Sequence, residues 1–187
     1  VEATNINLGD GKDSFSLELN SSLQSIGLLD STLNLGGGSD KVIIKATLDE
    51  INKGVVLDHS LLNAGSGSDD LFLYGDILNS QIYLGSGDDS ISIEGGGDAI
   101  VWGENGNDTI QGGSGEDVIN GGTGDDYIDG GSGKDTAVFG SNDNTIDLSK
   151  ATRQDTNEGN DTLISIENIK AGSGDDTLYG NNSNNVL

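Results

Sequence analysis

From Gly103 to Val138 the chain repeats one pattern four times without a break: GENGNDTIQ, GGSGEDVIN, GGTGDDYID, GGSGKDTAV. Position 4 of each nine-residue unit is Gly (Gly106, Gly115, Gly124, Gly133) and position 6 is Asp (Asp108, Asp117, Asp126, Asp135). Position 8 is apolar (Ile110, Ile119, Ile128, Ala137). Glycine and small polar residues at positions 1 to 6 predict a tight turn, because they accept positive φ and let carbonyls approach one another. Positions 7 to 9 predict a short strand whose middle side chain points inward. Two units then make one coil, turn–strand–turn–strand. Stacked coils place their strands in parallel ladders about 4.8 Å apart. The predicted fold class is therefore all-β: a right-handed parallel β-roll or β-helix solenoid around a narrow apolar column, spanning 1–187 as one domain.

The same frame fits LGDGKDSFS from Leu8, LGGGSDKVI from Leu35, AGSGSDDLF from Ala64 and LGSGDDSIS from Leu84. A weaker copy, IEGGGDAIV from Ile93, supplies Gly96, Asp98 and Ile100. AGSGDDTLY begins at Ala171, and GNNSNNVL from Gly180 is a degraded copy with Ser183 and Asn185 in place of Gly and Asp. Four stretches follow: long-period coils over 1–83, a regular block over 84–138, an irregular excursion over 139–170, and a resumed, truncated repeat over 171–187. In the excursion the polar loop is placed at Lys150–Asn160. The starts at Leu8, Leu35, Ala64, Leu84, Gly103 and Gly121 follow one another at one coil or somewhat more, the longest steps coming first. All six turns are thus predicted on one edge of the stack. The opposite edge of the first coils is predicted to be irregular loops such as Leu23–Asp30 and Thr47–Lys53.

Composition changes the picture. The chain carries 32 acidic residues against 8 basic ones, a formal net charge of -24, with 32% hydrophobic and 4% aromatic residues. Apolar burial alone does not offset the conformational entropy of such a chain. Without cysteine there are no disulfides. A hard divalent cation would cancel charge and cross-link turns, and Ca²⁺, which takes 6–8 oxygens at about 2.3–2.6 Å, fits an all-oxygen donor set. Because two units make a coil, partner aspartates lie two units apart. One column is expected to hold Asp13, Asp40, Asp69, Asp89, Asp108 and Asp126, the other Asp98, Asp117 and Asp135, and Asp176 is a further candidate ligand. Turn carbonyls complete the shells, for example those of Gly103, Asn105, Gly112, Ser114, Gly121, Thr123, Gly130 and Ser132. Position-5 acids (Asp88, Glu116, Asp125, Asp175) are expected to face solvent. The charge excludes nucleic acid as a partner, and no stretch reaches the roughly 18 apolar residues of a membrane span.

These nonapeptides resemble the RTX, hemolysin-type calcium-binding repeat, G-G-x-G-x-D-x-U-x with U a large apolar residue, which is known to form a Ca²⁺-binding parallel β-helix. The stretch from DTAVF to GNDTLISIEN is similar to one that recurs in large secreted RTX proteins. The resemblance implies several bound Ca²⁺ and secretion by a type I channel as an unfolded chain that folds outside the cell or on its surface. Val1 in place of an initiator Met is read as a segment of a larger protein.

Two other uses stay open: a surface-layer or adhesin segment, and an accessory module holding polysaccharide or cell-surface components. An enzyme is not expected. Asp58-His59-Ser60 sits on an extended segment, where sequence neighbours do not converge as a triad. There is no His pair for zinc and no phosphate loop. Trp102 is expected to cover an irregular join after the weak repeat.

Overall fold

A computed structural model describes residues 4–20, 26–47 and 54–187. Among them there are strands and turns and no helix. One sheet runs from Asn5–Asn7 through Thr32–Gly37, Leu61–Ser66, Gln81–Ser86, Ile100–Asn105, Val118–Asn120 and Thr136–Val138 to Asn168–Lys170. A second runs from Ser14–Asn20 through Lys41–Thr47, Asp70–Tyr74, Ser90–Ile93, Thr109–Gln111 and Tyr127–Asp129 to Asn160–Ile164. Every neighbour in these two runs is parallel and lies one coil further along the chain. The fold is an all-β parallel β-roll.

The ladder registers explain the sequence spacing. Leu33 pairs with Leu62, Leu62 with Ile82, Ile82 with Val101 and Val101 with Ile119. The coils shorten in this order, in step with the turn starts. Each inward row is apolar and closed to solvent: Val42, Leu71, Ile91, Ile110 and Ile128 on one sheet face Leu33, Leu62, Ile82, Val101 and Ile119 on the other, all at 2% exposure or less. Burying each such side chain contributes about 1.5–3 kcal/mol.

The first coils are longer because they carry a third sheet, and here the expectation of an irregular loop over Leu23–Asp30 is corrected at Ile26–Leu29. Ile26–Leu29, Val55–Asp58 and Asp76–Leu78 form a parallel ladder. Leu28, Val56, Leu57 and Ile77 drop from it into the same core, fully buried. The remainder of the two segments, residues 23–25 and 48–53, lies outside the described residues. Each third-sheet strand leaves through a left-handed residue (Asp30, His59, Asn79; φ 46°, 46° and 47°) into Ser31, Ser60 or Ser80. After Leu78 the third sheet ends, and the coils contract to about two nine-residue units until the polar excursion lengthens them again.

The period also continues beyond Val138. Phe139–Asp147, FGSNDNTID, is a further unit in which Asn142 and Asn144 stand for Gly and Asp. Thr145–Asp147 pairs in parallel with Thr177–Tyr179, Ile146 opposite Leu178. Two Asn substitutions hide the motif while leaving the inward Ile146 fully buried. The polar excursion that follows folds back as Gln154–Asp155 antiparallel to Asn160–Asp161.

The turns stack so closely that glycine is required where backbones meet. Gly106 has φ 134°, and a Cβ there would overlap the Gly87 carbonyl oxygen. Gly9 has φ 93° with open space around it. In calcium-loaded protein, Gly9→Ala should cost about 1–2 kcal/mol for its left-handed backbone. Gly106→Ala should cost clearly more, since the coil above must move. Denaturant midpoints of the two variants check the order, and equal midpoints would refute the close-stacking account.

Candidate metal centres

Position 6 immediately precedes each repeat's strand, so stacking the coils stacks these residues. The backbone N–H of each position-6 aspartate donates to the carboxylate of the equivalent residue one coil further on. The column runs Asp13 to Asp40 (2.7 Å), Asp40 to Asp69 (2.7 Å), Asp69 to Asp89 (2.7 Å), Asp89 to Asp108 (2.9 Å) and Asp108 to Asp126 (2.8 Å). The six turns assigned to one edge do lie on one edge. A seventh residue continues the column: Asp126 N–H donates to Asp161 Oδ1 at 2.9 Å. Asp161 is not among the sequence candidates. Its signal is the half-motif Gly159-Asn160-Asp161-Thr162-Leu163, which repeats the latter half of the nonapeptide.

On the opposite edge Asp117 N–H donates to Asp135 Oδ1 at 2.9 Å, and Asp135 N–H to Glu167 Oε2 at 3.0 Å. Glu167 takes the position-6 place with a longer side chain. Asp98 does not join this column. Ala99 occupies the slot, its N–H donating to Asp117 Oδ1 at 2.8 Å, while Asp98 accepts from Glu116 N–H at the turn surface. The weak repeat is shifted by one residue: Val101 is fully buried and Ile100 half-exposed. The run Gly95-Gly96-Gly97 and the pair Ile100-Val101 satisfy the motif in either frame, so pairing with the next coil decides it. Trp102 accordingly sits on a regular ladder, opposite Tyr83 and Asn120. Above Ala99 the same column is made of serines. Thr4 N–H donates to Ser31 Oγ, Ser31 N–H to Ser60 Oγ and Ser60 N–H to Ser80 Oγ, at 3.0–3.1 Å. Each hydroxyl donates in turn to a backbone carbonyl, Ser60 to those of Asp58 and Leu28.

Asp176 stands apart from both columns, its Oδ1 accepting from Asn144 N–H at 2.9 Å. Asn144 is fully buried, and its Oδ1 has no hydrogen-bond partner.

Apart from Asp161, whose Oδ2 accepts from the Thr156 hydroxyl, the column aspartates leave one carboxylate oxygen unused. Oδ2 of Asp13, Asp40, Asp69, Asp89, Asp108, Asp117, Asp126 and Asp135 is buried without any hydrogen-bond partner among the described residues. Leaving such an atom unsatisfied is costly, most of all when it is charged. Position-1 glycines mark where these oxygens point. A Cβ on Gly103 would meet Asp108 Oδ2 at 2.5 Å and overlap the Gly121 carbonyl. One on Gly112 would meet Asp117 Oδ2 at 2.6 Å and the Gly130 carbonyl at 2.8 Å. One on Gly130 would meet Asp135 Oδ2 and the Ser165 carbonyl. The carbonyls of Asn105 and Thr123 accept amides of Gly87 and Gly106, each at 2.9 Å, and keep a second lone pair. Ser114 and Ser132 lie side by side in a short parallel ladder. Among the described residues no three acidic or imidazole groups converge, so any ion here relies on backbone oxygens. Carboxylate and carbonyl donors of this kind suit Ca²⁺.

Of the position-5 acids Asp88, Glu116 and Asp175 are exposed and Asp125 is half-buried, and two of them also link coils. Asn107 N–H donates to Asp88 Oδ1, Asp125 N–H to Asn107 Oδ1 and Asn160 N–H to Asp125 Oδ1, each at 2.8 Å.

Residues 102–137 and 164–187 match the model of the RTX calcium-binding nonapeptide repeat, in four copies. The chain carries RTX calcium-binding repeats. No curated protein and no solved structure matches it. RTX repeats are structural calcium-binding units, and the matched segments include Asp108, Asp117, Asp126 and Asp135. The coils above Trp102 lie outside the match, and their aspartates join the reading through the hydrogen-bonded column alone.

Burial raises the carboxyl pKa of Asp108 to about 8, those of Asp89 and Asp117 to about 7, and that of Asp126 to about 6, against the opposing effect of the backbone donors. In the unfolded chain these groups titrate near 4. Without metal the folded RTX stack therefore binds more protons than the unfolded chain between about pH 4 and 8, and its stability falls as pH rises through that window. Chelated protein should gain β-structure by circular dichroism on acidification from pH 8 to 5, and loss of structure over that range would refute this. Asp108→Asn should remove at least one bound Ca²⁺ by calorimetry, whereas Asp88→Asn, on the exposed ladder, should leave the count unchanged. Equal effects of the two would refute the division between the inner and outer ladders.

Proposed function

We propose that this chain is a calcium-folded structural element of a larger secreted protein, exported unfolded and ordered by several Ca²⁺ outside the cell or on its surface. The observation that carries the reading is the row of buried, unpartnered Oδ2 atoms along both aspartate columns. All but that of Asp13 have a backbone donor fixing the sister oxygen, and a cation would satisfy each of them. The proposed ligands are Asp13, Asp40, Asp69, Asp89, Asp108, Asp126 and Asp161 on one edge and Asp117, Asp135 and Glu167 on the other, with turn carbonyls.

Without Ca²⁺ the columns set carboxylates above one another in a chain of net charge -24, and ion binding becomes folding free energy. Extracellular modules bind Ca²⁺ at about 10⁻⁴–10⁻³ M, which would leave this one empty at cytosolic calcium. At tenfold excess over its dissociation constant each site adds about 1.4 kcal/mol. Type I export follows from the same logic, since an unfolded chain threads a channel that a folded stack does not.

Titrating Ca²⁺ into chelated protein should give a cooperative coil-to-β transition by circular dichroism, with several ions bound and no transition with Mg²⁺. A chelated protein that is already fully folded would overturn the proposal.

A further inference from the structure

The outer face of the first sheet is free of charge over seven strands, in a chain where charged residues make up 21% of the sequence. Its outward residues, alternating with the buried rows, are Asn5 and Asn7, Thr32 and Asn34, Leu61 and Asn63, Gln81 and Tyr83, Ile100 and Trp102, Val118 and Asn120, and Thr136 and Val138. Charge returns only where a strand runs out into its turn, at Glu104, and on the eighth strand, at Lys170. The second sheet's outer face differs. It presents Glu18, Lys41, Lys45, Asp70 and Asp129, with Lys41 over the Phe72 ring and Lys45 over Tyr74. Solubility asks for charge on an exposed sheet, so seven successive strands without any carry a different requirement.

Within that face the registers bring one row together: Asn34, Asn63, Tyr83, Trp102 and Asn120, one per strand. The Tyr83 and Trp102 rings stack at 6.4 Å between centroids and 11° between planes. The registers set Asn63 beside Tyr83 and Asn120 beside Trp102. Among the described residues the side chains of Asn34 and Asn63 have no hydrogen-bond partner, Asn120 Nδ2 donates to the Val138 carbonyl at 2.7 Å and leaves its Oδ1 as acceptor, and the Tyr83 hydroxyl donates to Gln81 Oε1. Two aromatic faces, each next to a carboxamide, on an uncharged surface match a sugar ring, whose apolar C–H face stacks on aromatics while its hydroxyls pair with amides.

We propose that this face binds an uncharged polysaccharide, with Tyr83 and Trp102 as stacking residues and Asn34, Asn63 and Asn120 as hydroxyl partners. The lack of any cation among these residues argues against uronate or sulfated polymers, which would also meet the chain's net negative charge. The site is separate from the calcium edges: its residues sit on strand faces, the aspartates at the turns.

Trp102 is the single tryptophan, so its fluorescence reports this surface. Calcium-loaded full chain should be screened against immobilised neutral oligosaccharides (gluco-, manno- and xylo-hexaoses) alongside oligouronates and sulfated sugars. A neutral hit should then be titrated by Trp102 emission. Binding to at least one neutral oligosaccharide with a change in emission is expected. Trp102→Ala, assayed on the array, and Asn63→Asp, an exposed position whose substitution does not disturb the core, should each weaken it tenfold or more. Phe72→Ala on the opposite sheet should leave it intact. Failure to bind any neutral sugar, preference for the charged ones, or equal binding by Asn63→Asp would overturn the proposal. So would self-association in the ultracentrifuge that Asn63→Asp abolishes, since the face would then be an interface between copies of the chain.

Discussion

The stack depends on one hydrogen bond repeated from coil to coil: a backbone N–H at position 6 donating to the carboxylate of the next coil. That bond fixes the rotamer of each accepting aspartate, aims its second oxygen at the turn and holds neighbouring turns in register. It also places like charges above one another away from water, which a protein tolerates only with a counter-charge or a bound proton. Burial raises the carboxyl pKa values of Asp69, Asp89, Asp108 and Asp126 on one edge and of Asp117 and Asp135 on the other. The same bond that organises the turn thus gathers carboxylates where a cation would be favoured.

The two edges meet this constraint differently along the molecule. One edge carries aspartate from Asp13 to Asp161. The other uses serine at Ser31, Ser60 and Ser80, passes through Ala99 and turns to aspartate only at Asp117. A serine hydroxyl accepts the same backbone donor and satisfies its own proton on a nearby carbonyl, so those corners close with no charge to neutralise. The change of chemistry coincides with the change of shape. On this second edge serine corners occur where a third sheet fills the coil, and acidic corners where the coil has contracted to two sheets.

Much of this was legible in the residues. The period of nine, the inward position 8, the six turns on one edge and the parallel stacking follow from Gly and Asp spacing, because a two-unit coil returns every second turn to the same side. Asp13, Asp40 and Asp69 share one column despite the long gaps between them, since an insertion on one edge leaves the other edge in step. Where the motif degenerates the residues are ambiguous. Three consecutive glycines before Asp98 allow two frames, and Asn142 and Asn144 disguise a unit that packs like the others.

By itself, then, the sequence determined the repeat, the fold class and the chemistry of the turns, all local properties that recur within one nonapeptide. Tertiary structure alone decided what depends on the neighbouring coil. It set Ala99 rather than Asp98 into the column and brought Asp161 under Asp126 across the polar excursion. It made a third sheet of the long first coils and gathered Tyr83 and Trp102 on an uncharged face. The reason is that a strand's inward side and its partner are set by pairing, and a shift of one residue exchanges its faces.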